Sequence, residues 1–276
     1  MAIIVIGLTS RVKRGFIVHT SSSQIVRRPK VKLTSYNVNY FHLRNPWIVA
    51  WWSLAYPGFG HLTLGSVAKG IFVFSGEMLV NYMAHINSAI VYSFTGNFQQ
   101  AKDILDTQWL LVYIGILVFA IWDSYRITIE TNKLSVLADR EYASIIPTAL
   151  GKASINALDK RNPWISAAWS IILPGLGQLY NSETIKAVFL LVLGGFILVF
   201  SHALQAIGYT ALGNFQQAKA IVNWQWLLNF PSFFVFAIWD AYQSTVNLNK
   251  LFDIEQAQFF KNKYQNPGFK KPVLGG

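Results

Sequence analysis

Glu77, Asn81, His85 and Ser88 follow one another at intervals of four, four and three in a stretch that is otherwise almost wholly apolar. On a helix those intervals make one stripe. A carboxyl, an amide, an imidazole and a hydroxyl in line could pass a proton or hold a small solute, and charged groups in apolar surroundings are functional candidates by default. The same groups could simply hydrogen-bond neighbouring helices. A thinner stripe, His202, Gln205 and Tyr209, lies further along, with Gly194 and Leu198 standing where Glu77 and Asn81 would fall. Two pairs of opposite charge complete the set: Lys69 with Asp123, and Lys186 with Asp240, each aspartate ending the string VFAIWD.

These candidates belong to a repeated frame. Displaced by 117 residues, 44–134 aligns with 161–251 without a gap. RNPWI, QWLL, VFAIWD and the heptapeptide GNFQQAK (96–102 and 213–219) occur in both copies. Self-similarity of this kind decides architecture before any local feature does. Each copy offers three apolar segments: a short one from Asn-Pro-Trp to a Pro-Gly turn (46–57, 163–174), a long one to the tyrosine before GNFQQAK (69–93, 186–210), and a third after Gln-Trp (108–126, 225–243). Asn97 and Asn214 are suited to cap the helix that follows them, so the third helix is expected to begin at the GNFQQAK loop. Pro231, where the first copy has Ile114, predicts a kink.

The chain is 53% hydrophobic and 13% charged, with mean hydropathy +0.35, whereas soluble domains carry about 25% charge. Runs such as 110–122, 186–200 and 231–240 point to a bilayer. The fold expected is all-α: a polytopic integral membrane protein with two tandem repeats, each with a short re-entrant or interfacial helix and two long transmembrane helices. The divisions are a basic tail (1–43, its first 35 residues poorly ordered), repeat 1 (44–134), a linker (135–160), repeat 2 (161–251) and a basic C-terminal tail (252–276).

The net charge of +11 is concentrated at the ends: Arg11, Lys13, Arg14, Arg27, Arg28, Lys30, Lys32 and Arg44 before the first apolar block, and Lys261, Lys263, Lys270 and Lys271 after the last. Lysine and arginine gather on the cytoplasmic side, so both termini are expected there, in a multi-pass protein of the cell membrane. Part of the N-terminal cluster could touch anionic headgroups. Nucleic acid is not expected as a partner, because stacking aromatics are not interleaved with these charges. Partners would be the lipid bilayer, a second copy, or other membrane proteins.

If the second segment enters at Lys69, Glu77 lies about 12 Å deep and His85 about 24 Å, near the far interface. Lys69–Asp123 and Lys186–Asp240 then share one level and are expected to pair. Trp47, Trp51, Trp52, Trp164 and Trp169 suit the headgroup region. Four spans with parallel repeats is the preferred topology; six spans with inverted repeats is the alternative.

The segment WSIILPGLGQLYN resembles the TM-two domain family of small membrane proteins, marked by a P-G-x-G-Q-x-Y turn between two apolar helices. The matching residues are Pro174, Gly175, Gly177, Gln178 and Tyr180; the first copy keeps Pro57, Gly58 and Gly60 but has His61 and Thr63 at the last two places. The resemblance covers roughly forty residues per copy and implies a membrane-embedded helical hairpin, which favours six spans, and no settled activity.

No cysteine is present, and there is no Gly-x-Ser-x-Gly, His-Glu-x-x-His or phosphate loop. The five histidines (19, 42, 61, 85, 202) are too scattered for a ligand set. No catalytic residue, metal site or cofactor is expected, and the reading is of a non-enzymatic scaffold or modulator, with a solute or ion transporter as alternative.

Overall fold

The computed structural model describes residues 28–34, 36–141, 145–150 and 155–265. The basic residues at 11, 13, 14, 27, 270 and 271 lie outside them. The first unit runs β1 (Val31–Leu33), β2 (Val38–Tyr40), α1 (Pro46–Ala55), α2 (Phe59–Thr63), α3 (Val67–Ala84), α4 (Ile86–Phe94), α5 (Phe98–Ile104) and α6 (Thr107–Arg140). The second runs β3 (Thr148–Leu150), β4 (Ile155–Ala157), α7 (Pro163–Ile172), α8 (Leu176–Tyr180), α9 (Thr184–Phe200), α10 (Ala203–Ala211), α11 (Phe215–Ile221), α12 (Trp224–Leu227) and α13 (Phe230–Tyr264). The fold is predominantly helical.

α1 and α7 start where Asn-Pro dictates. The Asn45 and Asn162 side chains accept from Trp47 N and Trp164 N at 2.9 Å, and the proline that follows has no N–H to leave orphaned. Ten residues reach only about 15 Å, too short to cross a hydrocarbon core.

The second segment is not continuous. His85 and His202 both take left-handed backbone at φ 56°, ending α3 and α9 and starting α4 and α10; α9 and α10 are bent by 56°. The break frees carbonyls that are re-used: Asp106 N donates to Ala84 O at 3.2 Å, and Asn223 N to Ser201 O at 3.1 Å. α4–α5 and α10–α11 are therefore short helical hairpins whose two ends meet, with the Gly-Asn of GNFQQAK at the tip and FQQAK in the second helix. Asn97 and Asn214 make no side-chain cap bond. The capping falls instead to Asp106, which accepts from Gln108 N and Trp109 N at 2.9 and 3.1 Å, and to Asn223, which accepts from Gln225 N at 3.1 Å. The third helix thus starts after the loop helix, not with it.

α6 continues to Arg140 and α13 to Tyr264, so 135–140 and 252–264 are helix rather than linker and tail. α12 and α13 separate at Leu228–Asn229, with Pro231 in the first turn of α13. The repeated frame also reaches further upstream than residue 44. β1 pairs antiparallel with β2 (Val31 opposite Tyr40) and β3 with β4 (Thr148 opposite Ala157), at the same 117-residue displacement. Residues 31–40, expected in the tail, form a hairpin that crosses to the second unit: Asn156 Nδ2 donates to Thr34 O and Thr184 N to Tyr36 O, both at 3.0 Å. Val38 packs there with Leu158, Leu248 and Leu251.

The main core lies between the units. Trp52, Tyr56, Phe59 and Phe74 meet Leu190, Ile197, Phe233 and Phe236, with the Phe59 and Phe236 rings stacked 3.9 Å apart. Trp52, expected at headgroup level, is in this core; Trp47, Trp51, Trp164 and Trp169 remain exposed. Among the described residues α6 is long and apolar enough to cross a membrane, and up to three spans result if α9–α10 and α11–α13 each count as one bent span. That is fewer than two uninterrupted long spans per unit, because the histidine breaks shorten the second segment and the third segment of the second unit is itself interrupted between α11, α12 and α13.

Candidate functional site

The Pro-Gly turn and the aspartates belong to one cluster in each unit. After Pro57 and Pro174, Gly58 and Gly175 adopt φ 103° and 106°; a Cβ on Gly175 would fall 2.7 Å from Ala187 O. Gly60 and Gly177 lie against the backbone of α1 and α7, where a side chain has no room. This close approach drives the next residue inward. His61 Nε2 meets Asp123 Oδ2 at 2.8 Å, and Gln178 Nε2 donates to Asp240 Oδ2 at 3.1 Å and to Ala237 O at 2.8 Å. His61 and Gln178 are fully buried.

The structure brings each lysine onto the aspartate of its own unit. Lys69 pairs with Asp123, joined by Arg126 at 2.8 Å. Lys186 reaches Asp240 at 3.0 Å and Glu183 at 2.8 Å. The first cluster is open, with Lys69 40% and Arg126 43% exposed; the second is closed, with Lys186 4% exposed. Such a cluster ties the turn, the second helix and the third helix together. Tyr180 contributes its carbonyl to Arg161 rather than its ring hydroxyl to the cluster.

The polar stripe divides at the histidine break. Glu77 and Asn81 are buried between the units, joined by Asn81 Nδ2 to Glu77 Oε1 at 3.2 Å. The partners across the interface are Gln225 and Asn229. Gln225 Nε2 donates to Asn81 O and Oδ1 at 2.9 Å, and its Oε1 accepts from Ser88 N and Oγ at 2.9 and 3.0 Å. Asn229 Oδ1 accepts from Asn87 Nδ2 and Tyr56 OH, both at 3.0 Å. His85, His202 and Gln205 lie outside this network and are exposed; His202 Nδ1 meets Gln205 Oε1 at 3.1 Å. Two cavities open nearby, one lined by Phe74, Met78, Phe189 and Trp226 and one by Ser88, Tyr92, His202 and Trp224; Glu77 and Asn81 line neither.

Tyr56, Asn87, Gln225 and Asn229 were not among the residues expected to matter. The sequence does carry a signal for three of them: Leu173, Leu204 and Val112 stand at the equivalent places, so each is polar in one copy and apolar in the other.

At the end of the molecule where α3 and α9 begin, the chain at 40–44 passes between two cavities. His42 stacks on Tyr40 at 4.6 Å and its Nε2 accepts from Arg44 Nε at 3.0 Å. Burial, together with the charges of Arg44, Lys250 and Lys30, pushes the His42 imidazole down to about 3, so it is neutral with its proton on Nδ1. Among the described residues no three His, Cys, Asp or Glu side chains are grouped to hold a metal ion. Compared with known proteins, the chain matches no family model, no characterised protein and no solved structure.

Proposed function

We propose that this chain is a multi-pass protein of the cell membrane, with both termini cytoplasmic, that acts without catalysis as a scaffold or modulator of membrane assemblies. The observation that carries the reading is α6: only 17% of its eighteen-residue apolar stretch is buried, and Leu111, Val118 and Trp122 are 57–70% exposed. A helix laid open in this way needs lipid or a partner helix around it. The starts of α3 and α9 line one cavity, which supports parallel units and hence an even number of crossings in each. The short α1 and α7 are then re-entrant or interfacial; the resemblance of 174–180 to the TM-two domain turn supports membrane placement alone, since the full hairpin it implies belongs to the six-span topology.

Transport between the units is the competing reading. The amides of Asn81, Asn87, Gln225 and Asn229 are spent on one another and are buried, and Glu77 lines neither neighbouring cavity, which favours a lock over a path. Glu77 Oε2 has no hydrogen-bond partner among the described residues. Two measurements separate the readings. Extraction should need detergent and resist alkaline carbonate; release by carbonate overturns the membrane placement. Cross-linking in native membranes should then capture a defined membrane partner or a second copy. Solute or proton flux in proteoliposomes that is abolished by Glu77→Gln would replace the scaffold reading by transport.

A further inference from the structure

Arg44 and Arg161 stand at equivalent places, and their backbones are held identically. Arg44 N donates to Asn132 Oδ1 at 2.9 Å and Asn132 Nδ2 returns to Arg44 O at 2.8 Å; Arg161 and Asn249 repeat this at 2.8 and 2.7 Å. The side chains differ. Arg161 spends its fork on its own unit's turn, donating to Tyr180 O and to Ser182 Oγ, with the guanidinium over the Tyr180 ring. In the first unit Thr63 and Gly65 occupy those places. Arg44 therefore turns away, gives Nε to His42, and among the described residues has no acceptor for Nη1 or Nη2 and no carboxylate within salt-bridge reach.

Arg44 lines two cavities, and the one it shares with Lys32 is a space of about 550 Å³ between the units, lined in part by the β1–β2 hairpin. That volume is in the range of small-molecule sites. Arg28, Lys30, Lys32, Arg44 and Lys186 line it, with Glu183 as the acid on the wall. Most of this charge is already spoken for. Arg28 is bonded to Glu141, Lys30 to Asp139, and Lys186 to both Glu183 and Asp240. Those pairs build the walls, with Lys186 shared between Glu183 and Asp240, and leave Lys32 and Arg44 as the lining cations without a carboxylate partner among the described residues. A guanidinium fork with two free N–H edges matches the oxygens of a phosphate, and a lysine adds a point charge. Ser66, Asn39 and Thr131 also line the cavity and supply neutral polar groups for a hydroxylated substituent.

We infer that this cavity binds a phosphate ester carrying a small hydroxylated group, with Arg44 and Lys32 as its cationic ligands. The head of an anionic membrane lipid and a soluble organic phosphate share that chemistry. The inference rests on the cavity alone and stands whether or not the scaffold role does.

The test is calorimetric titration of the purified full chain in detergent with short-chain phosphatidylglycerol, short-chain phosphatidylcholine and glycerophosphate. Phosphatidylglycerol or glycerophosphate should bind, with phosphatidylcholine at least about ten-fold weaker, and Arg44→Gln and Lys32→Gln should each weaken binding by about ten-fold or more. Arg161→Gln should leave affinity unchanged. Glycerophosphate binding as tightly as the lipid assigns the site to soluble phosphates; binding of the lipid alone assigns it to the membrane. Absence of binding by every probe, or unchanged binding in a folded Lys32→Gln variant, overturns the site. Lys32 lies exposed on the hairpin, so that variant stays informative even if Arg44→Gln fails to fold.

Discussion

Lys186 lies 3.0 Å from Asp240, with both side chains only 4% exposed. Its counterpart Lys69 makes the same pair with Asp123 but is 40% exposed. The difference sets unequal costs. Lys186→Met strands Glu183 and Asp240 together without a cation and should cost about 3–5 kcal/mol, the usual penalty for breaking a buried pair. Lys69→Met leaves Asp123 with Arg126 and His61 and should cost about 1 kcal/mol or less. Unfolding midpoints in detergent check the order; equal losses would contradict it.

Asn229 holds Tyr56 and Asn87 across the unit interface. Asn229→Val, the residue of the other copy, leaves the buried Tyr56 hydroxyl without its acceptor and Asn87 Nδ2 with Gln225 O alone, and should cost about 1–3 kcal/mol. Glu77→Gln keeps an acceptor for Asn81 and should stay within about 1 kcal/mol of wild type. A double-mutant cycle between Asn229 and Tyr56 should show coupling, since the two share one hydrogen bond.

The turn glycine separates from an ordinary helix glycine. Gly175→Ala puts a Cβ 2.7 Å from Ala187 O at φ 106° and should lower stability by more than about 1 kcal/mol. Gly195, inside α9 with open space around it, should gain about 0.5–1 kcal/mol on replacement by alanine. Thermal shifts of opposite sign are the readout.

His85 closes α3 at φ 56°, a conformation open to glycine and hard for β-branched side chains. His85→Gly should leave the midpoint within about 1 kcal/mol, while His85→Val should lower it by about 1–3 kcal/mol. Equal behaviour of the two variants would remove the backbone explanation of the break.

His42 gives the pH dependence a sign. Its folded value of about 3 lies below the unfolded value of about 6.5, so the unfolded chain takes up the proton first. Stability from this group is intact above about pH 6.5 and declines as pH falls toward about 3. The midpoint should therefore drop more steeply between about pH 7 and pH 4 in the wild type than in His42→Asn. Parallel profiles would count against a buried neutral imidazole.

What the residues disclosed and what they concealed follow one rule. Features set by neighbours in sequence were legible. Asn45-Pro46 starts α1, Pro57-Gly58 ends it, and the lysine and aspartate of each unit share a level because their helices are adjacent. The histidine breaks carry no proline or glycine to announce them, since a freed carbonyl is answered by Asp106 from twenty residues on. The hairpin at 31–40 was hidden because its two copies share little beyond Leu33 with Leu150 and Asn39 with Asn156. The partners Gln225 and Asn229 depend on how one unit sits on the other, which no single-copy pattern encodes.

A core assembled from both halves also bears on what half the chain could do. One copy alone would leave Trp52, Phe59 and Phe74 bare, so it would need a twin, and the pairing would weaken on dilution. Joining the copies makes the encounter intramolecular, at an effective concentration on the order of millimolar for a short flexible connection. It also lifts the demand that the two faces be the same. Glu77 against Gly194, and Asn229 against Val112, are departures that a symmetric pair of identical subunits could not make one side at a time.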